Sequence, residues 1–311
     1  MAHPLIRVGG VEVVPLCDGW APLPLSKEAP GHEVDWSAER LAYPWAFPPA
    51  PDGEDRARDR DQRTWAWHVH AFLLRLSGGP VLVDSGIGVL GGMSGVTGRI
   101  EAELDAAGVS PVDVRHVIHT HLHSDHAGGA CRPDGEPRFP NAVHHVHPAD
   151  WAFFAGVDDR EDFGGWSAMG RLAELGMLDL APEDREIVPG VRVLHSPGHT
   201  PGHRSVLLAD ERSSLLLTGD LLHLPIQVAH PEWESSHDNE PGLGVASRIR
   251  LLTRAGDERW DVAVSHFGRP FGRVLRRDGP QWWEVSDDPF LRPTADAAGA
   301  PDGSPANEMR G

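Results

Sequence analysis

Residues 120–129 read THLHSDHAGG, directly after the apolar, β-rich run VRHVIH at 114–119. His121, His123, Asp125 and His126 place four metal-ligand side chains within six residues. In extended backbone, positions i and i+2 point the same way, so His121 and His123 can grip one ion together. The following turn carries Asp125 and His126 toward a neighbouring position. Gly128 and Gly129 allow the backbone to turn tightly there. Imidazole and carboxylate donors suit zinc at about 2.0–2.2 Å without any thiolate. A lone histidine is more simply a hydrogen-bonded one; four ligand-type side chains in one stretch point to metal.

Further elements of the same kind follow in order: His199 in SPGHTPGH, Asp220 in LLLTGD and His266 in VSHFG. Asp84 lies upstream in LVDSG. Each ends an apolar strand-like run. Open α/β sheets build their sites outside strand ends, so these points are expected to converge. Three ligands suffice for one catalytic zinc with an open position. Five histidines and two aspartates are too many for one tetrahedral ion. They suit two ions about 3.5–4 Å apart, bridged by one carboxylate and one water or hydroxide.

The rest of the chain supports an α/β protein. IRV and VEVVPL within 5–17 read as a hairpin about Gly9-Gly10, and WAWHVHAFLLRL from Trp65 as a strand. Residues 97–107 suit a helix with Thr97 as its cap and Gly108 as its stop. Further strands are expected at 141–147, 191–195, in SVLLAD and SLLLTGD, and last at 261–265. Helices are expected in PADWAFFA, with Pro148 in its first turn, over 167–176 and over 242–254. Residues 18–64 read as an irregular excursion with at least one short helix, and its charged run at 52–63 as solvated loop. The Ala/Gly/Pro/Asp-rich end predicts a disordered tail over 291–311. One domain over 1–290 is expected.

Composition removes several functions. The 311 residues hold 46 Asp plus Glu against 28 Lys plus Arg, a net charge of -18. A nucleic-acid binder or a polybasic membrane-surface protein would be basic. Hydrophobic residues make up 40% of the chain, enough for a large core. There is no run of 18 apolar residues and no leader-like start, so a cytoplasmic location is expected. Two cysteines, Cys17 and Cys131, cannot supply a disulfide framework or a cysteine-based metal site. Cys131 is expected to be a free thiol.

The motif set resembles the metallo-β-lactamase superfamily. His121-x-His123-x-Asp125-His126, then His199, Asp220 and His266, with Asp84 upstream, carry the resemblance, which covers about residues 5–275. It implies a four-layer αββα sandwich and two zinc ions, though Mn, Fe or Co satisfy the same donors. By the superfamily pattern His121, His123 and His199 hold the first metal. Asp125, His126 and His266 hold the second, and Asp220 bridges them. Asp84 matches the position that organises the ligands from behind, where the simpler role is a strand-end turn. A homodimer formed through the N-terminal excursion is a further expectation from the resemblance.

The ligands also choose among branches. Diiron flavoproteins of the superfamily carry Glu where His123 stands, and zinc β-lactamases often carry Cys where Asp220 stands. The segment GDLLHLPIQVAHPEW resembles the lactonase and organophosphate-hydrolase-like group. His223 falls where quorum-quenching lactonases carry a substrate-contacting Tyr, and Tyr43 is the only tyrosine here. The expected function is hydrolysis of an ester or lactone in a small neutral or apolar substrate by a metal-bridging hydroxide. Asp125 and His223 are the candidate proton carriers. Phosphotriester hydrolysis is the second choice. Arylsulfatase, thioesterase or β-lactamase activity stands behind it, as does a non-catalytic descendant. Trp20, Trp45, Trp151, Phe153, Phe154 and Trp166 are candidates to line an apolar mouth, although core or dimer packing explains any one of them as well.

Overall fold

The computed structural model describes residues 5–47, 64–88, 96–155, 165–275 and 281–285. The charged run at 52–63 and the tail at 291–311 lie outside the described residues.

Gly9 takes φ 57° and closes the tight turn between β1 (Ile6–Val8) and β2 (Val11–Pro24). β2 runs seven residues beyond the expected hairpin, to Pro24, and pairs with β3 (Thr64–Leu76) throughout. The excursion therefore starts after Pro24, not at residue 18. The prolines at 15, 22 and 24 hid this strand, because proline usually marks edges and breaks. A register shift between Cys17 and Gly19 lets Asp18 leave the ladder. The expected short helix is α1 (Trp36–Ala42), capped by the Asp35 carboxylate on the N–H groups of Ser37 and Ala38.

β4 (Gly79–Val83) follows β3, and α2 (Ile100–Ala106) precedes β5 (His116–Ile118). Arg99, not Thr97, sits at the α2 N-cap; its own side chain makes no cap bond, and the Asp18 carboxylate accepts its backbone N–H instead. Gly108, at φ 70°, follows the helix as expected. Next come α3 (Ser124–Ala127), β6 (Val143–Val146), α4 (Pro148–Phe154), α5 (Gly165–Glu174) and β7 (Leu178–Leu180). The second half contains β8 (Glu186–Val188), β9 (Val191–His195), β10 (Arg204–Ala209) and β11 (Ser214–Leu217). It continues with α6 (Ile226–Ala229), α7 (Pro241–Asp257), β12 (Asp261–Ala263), β13 (Phe271–Leu275) and β14 (Trp282–Val285). The strand at 261–263 is thus not the last. β13 and β14 are short and add antiparallel at the sheet edge, where no long apolar run is required.

Among the described residues the strands form two seven-stranded sheets, β1 to β7 in sequence order and β14 back to β8. Both mix antiparallel and parallel pairs. Phe72, Leu74, Val83 and Ile118 of one sheet meet Val193, Val206, Leu215 and Leu217 of the other in a shared core. The outer face of the first sheet buries Leu73, Leu82 and Val117 under Ile100 and Leu104 of α2. The outer face of the second buries Leu216 and Val262 under Leu251, Leu252 and Ala255 of α7. Helix, sheet, sheet and helix make the expected αββα sandwich, each buried Leu or Val contributing about 1.5–3 kcal/mol. Strands covered on both faces read as continuous apolar runs, which explains FLL and SLLLT. No helix among the described residues is long and apolar enough to cross a membrane.

Candidate metal centre

The seven ligand candidates come from strand ends of both sheets. His121 and His123 follow β5, and α3 turns Asp125 and His126 back over them. His199 lies in the β9–β10 loop, Asp220 in the 3-10 turn after β11, and His266 just beyond β12. All but the partly buried His123 are buried.

These side chains form two sets that share one residue. Ligand atoms of His121, His123, His199 and Asp220 lie within 4.8 Å of one another, and so do those of Asp125, His126, Asp220 and His266. His121 Nε2 is 3.0 Å from His123 Nδ1, which is 2.9 Å from His199 Nε2. A tetrahedral zinc with Zn–N of 2.0–2.1 Å spaces such nitrogens at about 3.3 Å. Asp220 Oδ2 is 3.3 Å from His199 Nε2 and 3.7 Å from His121 Nε2. Its Oδ1 is 3.0 Å from Nε2 of both His126 and His266, and His266 Nε2 is equally close to Oδ2. Asp125 Oδ2 is 3.2 Å from His126 Nε2 and 3.6 Å from His266 Nε2.

The donors fit divalent metal. His126 Nε2 and Asp220 Oδ1 are fully buried 3.0 Å apart, and among the described residues neither makes a hydrogen bond of good geometry. Leaving such atoms unsatisfied is costly, and a cation answers both at once. Burial pushes His121 and His199 well below the ordinary imidazole range, so both are neutral with lone pairs available. Burial acts on His126 in the same direction, but Asp220, Asp125 and Asp84 overcome it and hold this ring well above that range. The second set thus calls for positive charge. Nitrogen and oxygen donors without sulfur match zinc and its first-row neighbours.

Residues 64–266 match the profile of the Metallo-beta-lactamase superfamily. The chain belongs to this superfamily. It is 32% identical over 205 residues to an N-acyl homoserine lactonase of Bacillus thuringiensis, covering 60% of this chain and 76% of the relative. An N-acyl homoserine lactonase of Bacillus cereus is 29% identical over 200 residues, covering 59% and 72%. Among solved structures, AidC, a dizinc quorum-quenching lactonase in complex with a product, superposes with a TM-score of 0.76 at 20% identity, covering 91% of this chain and 96% of AidC. The hydrolase AbOPH superposes at 0.73 and 21% identity, covering 91% and 97%. These two show the shared fold. The protein is a metal-dependent hydrolase of the metallo-beta-lactamase superfamily.

Supporting residues of this superfamily member come from further afield. Asp84, at φ 63°, accepts from the Thr120 N–H at 2.7 Å and from His126 Nδ1 at 2.8 Å. His266 Nδ1 donates to the His68 carbonyl at 2.6 Å, leaving Nε2 toward the centre. His203, beside the ligand loop, accepts from the Asp220 N–H at 3.0 Å and donates to the Ser196 carbonyl at 2.9 Å. Asp150 of α4 holds the His199 loop through Thr200 Oγ1 at 2.9 Å and the Gly202 N–H at 2.6 Å. Burial raises the Asp150 carboxyl to about 6. Asp238 pairs with Arg248 at 3.2 Å and lies 3.5 Å from His199 Nδ1. Sequence reading passed over Asp150 and Asp238, because isolated aspartates carry no spacing signal.

Gly128 and Gly129 are needed for a different reason from the one expected. Gly128 has φ −63°, open to any residue. A Cβ on Gly129 would lie 1.9 Å from the Ser85 carbonyl oxygen, and one on Gly128 2.5 Å from that of Ile87. The glycines let the segment after His126 press against the loop that carries Asp84, sealed by Gly129 N–H to Gly86 O at 2.9 Å.

The candidate mouth residues scatter. Phe154 is buried and meets His123 edge-on at 5.4 Å, with the exposed Phe153 beside it. Trp151 and Trp166 pack on each other at 4.5 Å around the cluster containing Leu122. Trp45 packs on Phe267 at 5.3 Å, and the exposed Trp20 stacks on His68 at 6.1 Å. Trp67, not expected near the centre, lies 5.6 Å from His266. His223 stacks on His266 at 5.6 Å, with Nε2 3.5 Å from Asp220 Oδ2 and a buried Nδ1 that has no hydrogen-bond partner among the described residues.

Proposed function

We propose that this chain is a dinuclear-zinc hydrolase of small neutral or apolar esters, lactones first. The observation that carries this reading is the Asp220 carboxylate, which presents ligand distances to both sets of side chains. His121, His123 and His199 would hold one ion, Asp125, His126 and His266 the other, and Asp220 both. When bound, such ions lower the pKa of a shared water toward about 7 and polarise the scissile carbonyl.

The chain's own groups handle position and protons. Asp84 fixes the His126 ring, the His68 carbonyl fixes His266, and His203 fixes the Asp220 backbone. Asp125, at the more open side of the centre, can take the proton released by the attacking water. His223 would give a proton to the leaving alkoxide, from the position where quorum-quenching lactonases carry a substrate-contacting tyrosine. The likeness to lactonase sequences supports a lactone as substrate. The acidic balance of the chain, at -18, disfavours a polyanion.

The test is a panel assay of the zinc-loaded chain on acyl-homoserine lactones, p-nitrophenyl esters, methyl parathion and nitrocefin, with metal counted on the same sample. Lactone or ester turnover, two zinc ions per chain and loss of turnover with chelator are expected. Two ions with no hydrolysis of any of these substrates would show a non-catalytic centre. Preference for methyl parathion would favour the phosphotriester reading.

A further inference from the structure

A second group of ligand-type side chains stands on β2 and β3, next to the centre but separate from it. Cys17 is opposite His70 across the ladder, and His68 lies two residues before His70 on the same face of β3. The Cys17 sulfur and one ring nitrogen from each histidine all lie within 4.8 Å of one another. Cys17 Sγ is 3.8 Å from His68 Nδ1. A tetrahedral zinc with a thiolate at 2.3 Å and an imidazole at 2.0–2.1 Å separates those two atoms by about 3.6 Å. His70 Nδ1 donates to the Ser265 carbonyl at 2.9 Å, which leaves Nε2 with its lone pair. Metal-bound histidines are oriented by just such a bond from the other nitrogen.

We propose that Cys17, His68 and His70 form a third metal site, mononuclear, for zinc or another divalent cation that accepts thiolate, with solvent at its fourth position. The sequence set Cys17 aside because it lacks a neighbouring cysteine. The sheet supplies two imidazoles instead. On binding, the Cys17 thiol loses its proton to solvent and the sulfur–metal bond forms, with no change of oxidation state. A nucleophilic role for Cys17 is disfavoured, since burial pushes its thiol up to about 11 and reactive thiols lie lower. The site is mechanically tied to the larger centre. The carbonyl of His68 holds His266 Nδ1 at 2.6 Å, so an ion on the His68 ring would stiffen the backbone that aims His266.

Cobalt distinguishes the sites, because the seven-residue centre contains no sulfur. The full chain is stripped with chelator and titrated with Co²⁺, following the near-ultraviolet sulfur-to-cobalt charge-transfer band. The band is expected in the unmodified chain, unchanged in Cys131→Ser, and absent in Cys17→Ser, which should bind one ion fewer per chain. No band at saturating cobalt, or a band that persists in Cys17→Ser, overturns the proposal. If Cys17→Ser does not fold, alkylation of the unmodified chain decides. Zinc should protect Cys17 from iodoacetamide by at least about tenfold, and equal labelling with and without zinc overturns the site.

Discussion

Asp84 accepts a hydrogen bond from Nδ1 of His126 at 2.8 Å while also accepting the backbone N–H of Thr120, the residue that precedes His121. One carboxylate behind the ligands thus ties a ring of the second set to the strand end that carries the first. Its backbone at φ 63° is a conformation that Asn also tolerates. Asp84→Asn should therefore fold and lose the charge that orients His126. A loss of about 10–100-fold in metal affinity is expected, read by competition with a chromogenic chelator. Unchanged affinity would reduce Asp84 to a turn residue.

Removal of the shared carboxylate should act on metal count as well as rate. Asp220→Asn keeps the shape but would weaken a ligand to both of the proposed ions. Metal content should fall below two per chain, and kcat by about 10²–10³-fold, the scale seen when one transition-state charge partner is removed. Full metal content with full turnover would refute the bridged centre.

His223→Phe keeps a ring stacked on His266 and removes both nitrogens. If His223 protonates the leaving group, kcat should drop about 10²–10⁴-fold with KM and metal content nearly unchanged. Substrates with acidic leaving groups, such as p-nitrophenyl esters, should suffer least. An equal loss on every substrate would assign His223 to packing.

Gly129→Ala tests the contact between the two loops. Its Cβ would stand 1.9 Å from the Ser85 carbonyl oxygen, and its nearest neighbours are all backbone atoms of Ser85 and Gly86. Destabilisation of about 1–3 kcal/mol is expected from overpacking, measured by thermal or denaturant unfolding. Metal affinity should fall with it, because the loop displaced is the one that bears Asp84.

Acid should destabilise the fold through a histidine away from the metals. Burial lowers His144, which is outside every ligand set, to about 3. A histidine depressed in the folded state contributes stability that is complete above the unfolded value of about 6.5. That contribution is lost as pH falls toward about 3, because the unfolded chain binds the proton first. Each such ring adds a slope of about 1.4 kcal/mol per pH unit. The midpoint of urea unfolding should decline steadily from pH 6.5 to 4, and His144→Leu should flatten it. An unchanged slope in that variant would mean that His144 is already protonated in the fold.

The sequence by itself determined the ligand chemistry. His121, His123, Asp125 and His126 are neighbours along the chain, so strand and turn periodicity alone places them together, and His199, Asp220 and His266 each end an apolar run. The sandwich was legible for the same reason, since runs such as HAFLLRL and SLLLT need cover on both faces. The strand over 18–24 and the edge strands β13 and β14 were not, because prolines and short length erase the alternating pattern. Only the tertiary structure decided what aims the ligands. Asp150 reaches Thr200 of the His199 loop from 50 residues away, the His68 carbonyl reaches His266 from 198, and Asp84 reaches His126 from 42. Such bonds depend on which strand ends meet in space, and a buried carboxylate or carbonyl leaves no periodic trace. The same holds for Gly129, whose need is set by the backbone that presses on it and not by its own φ.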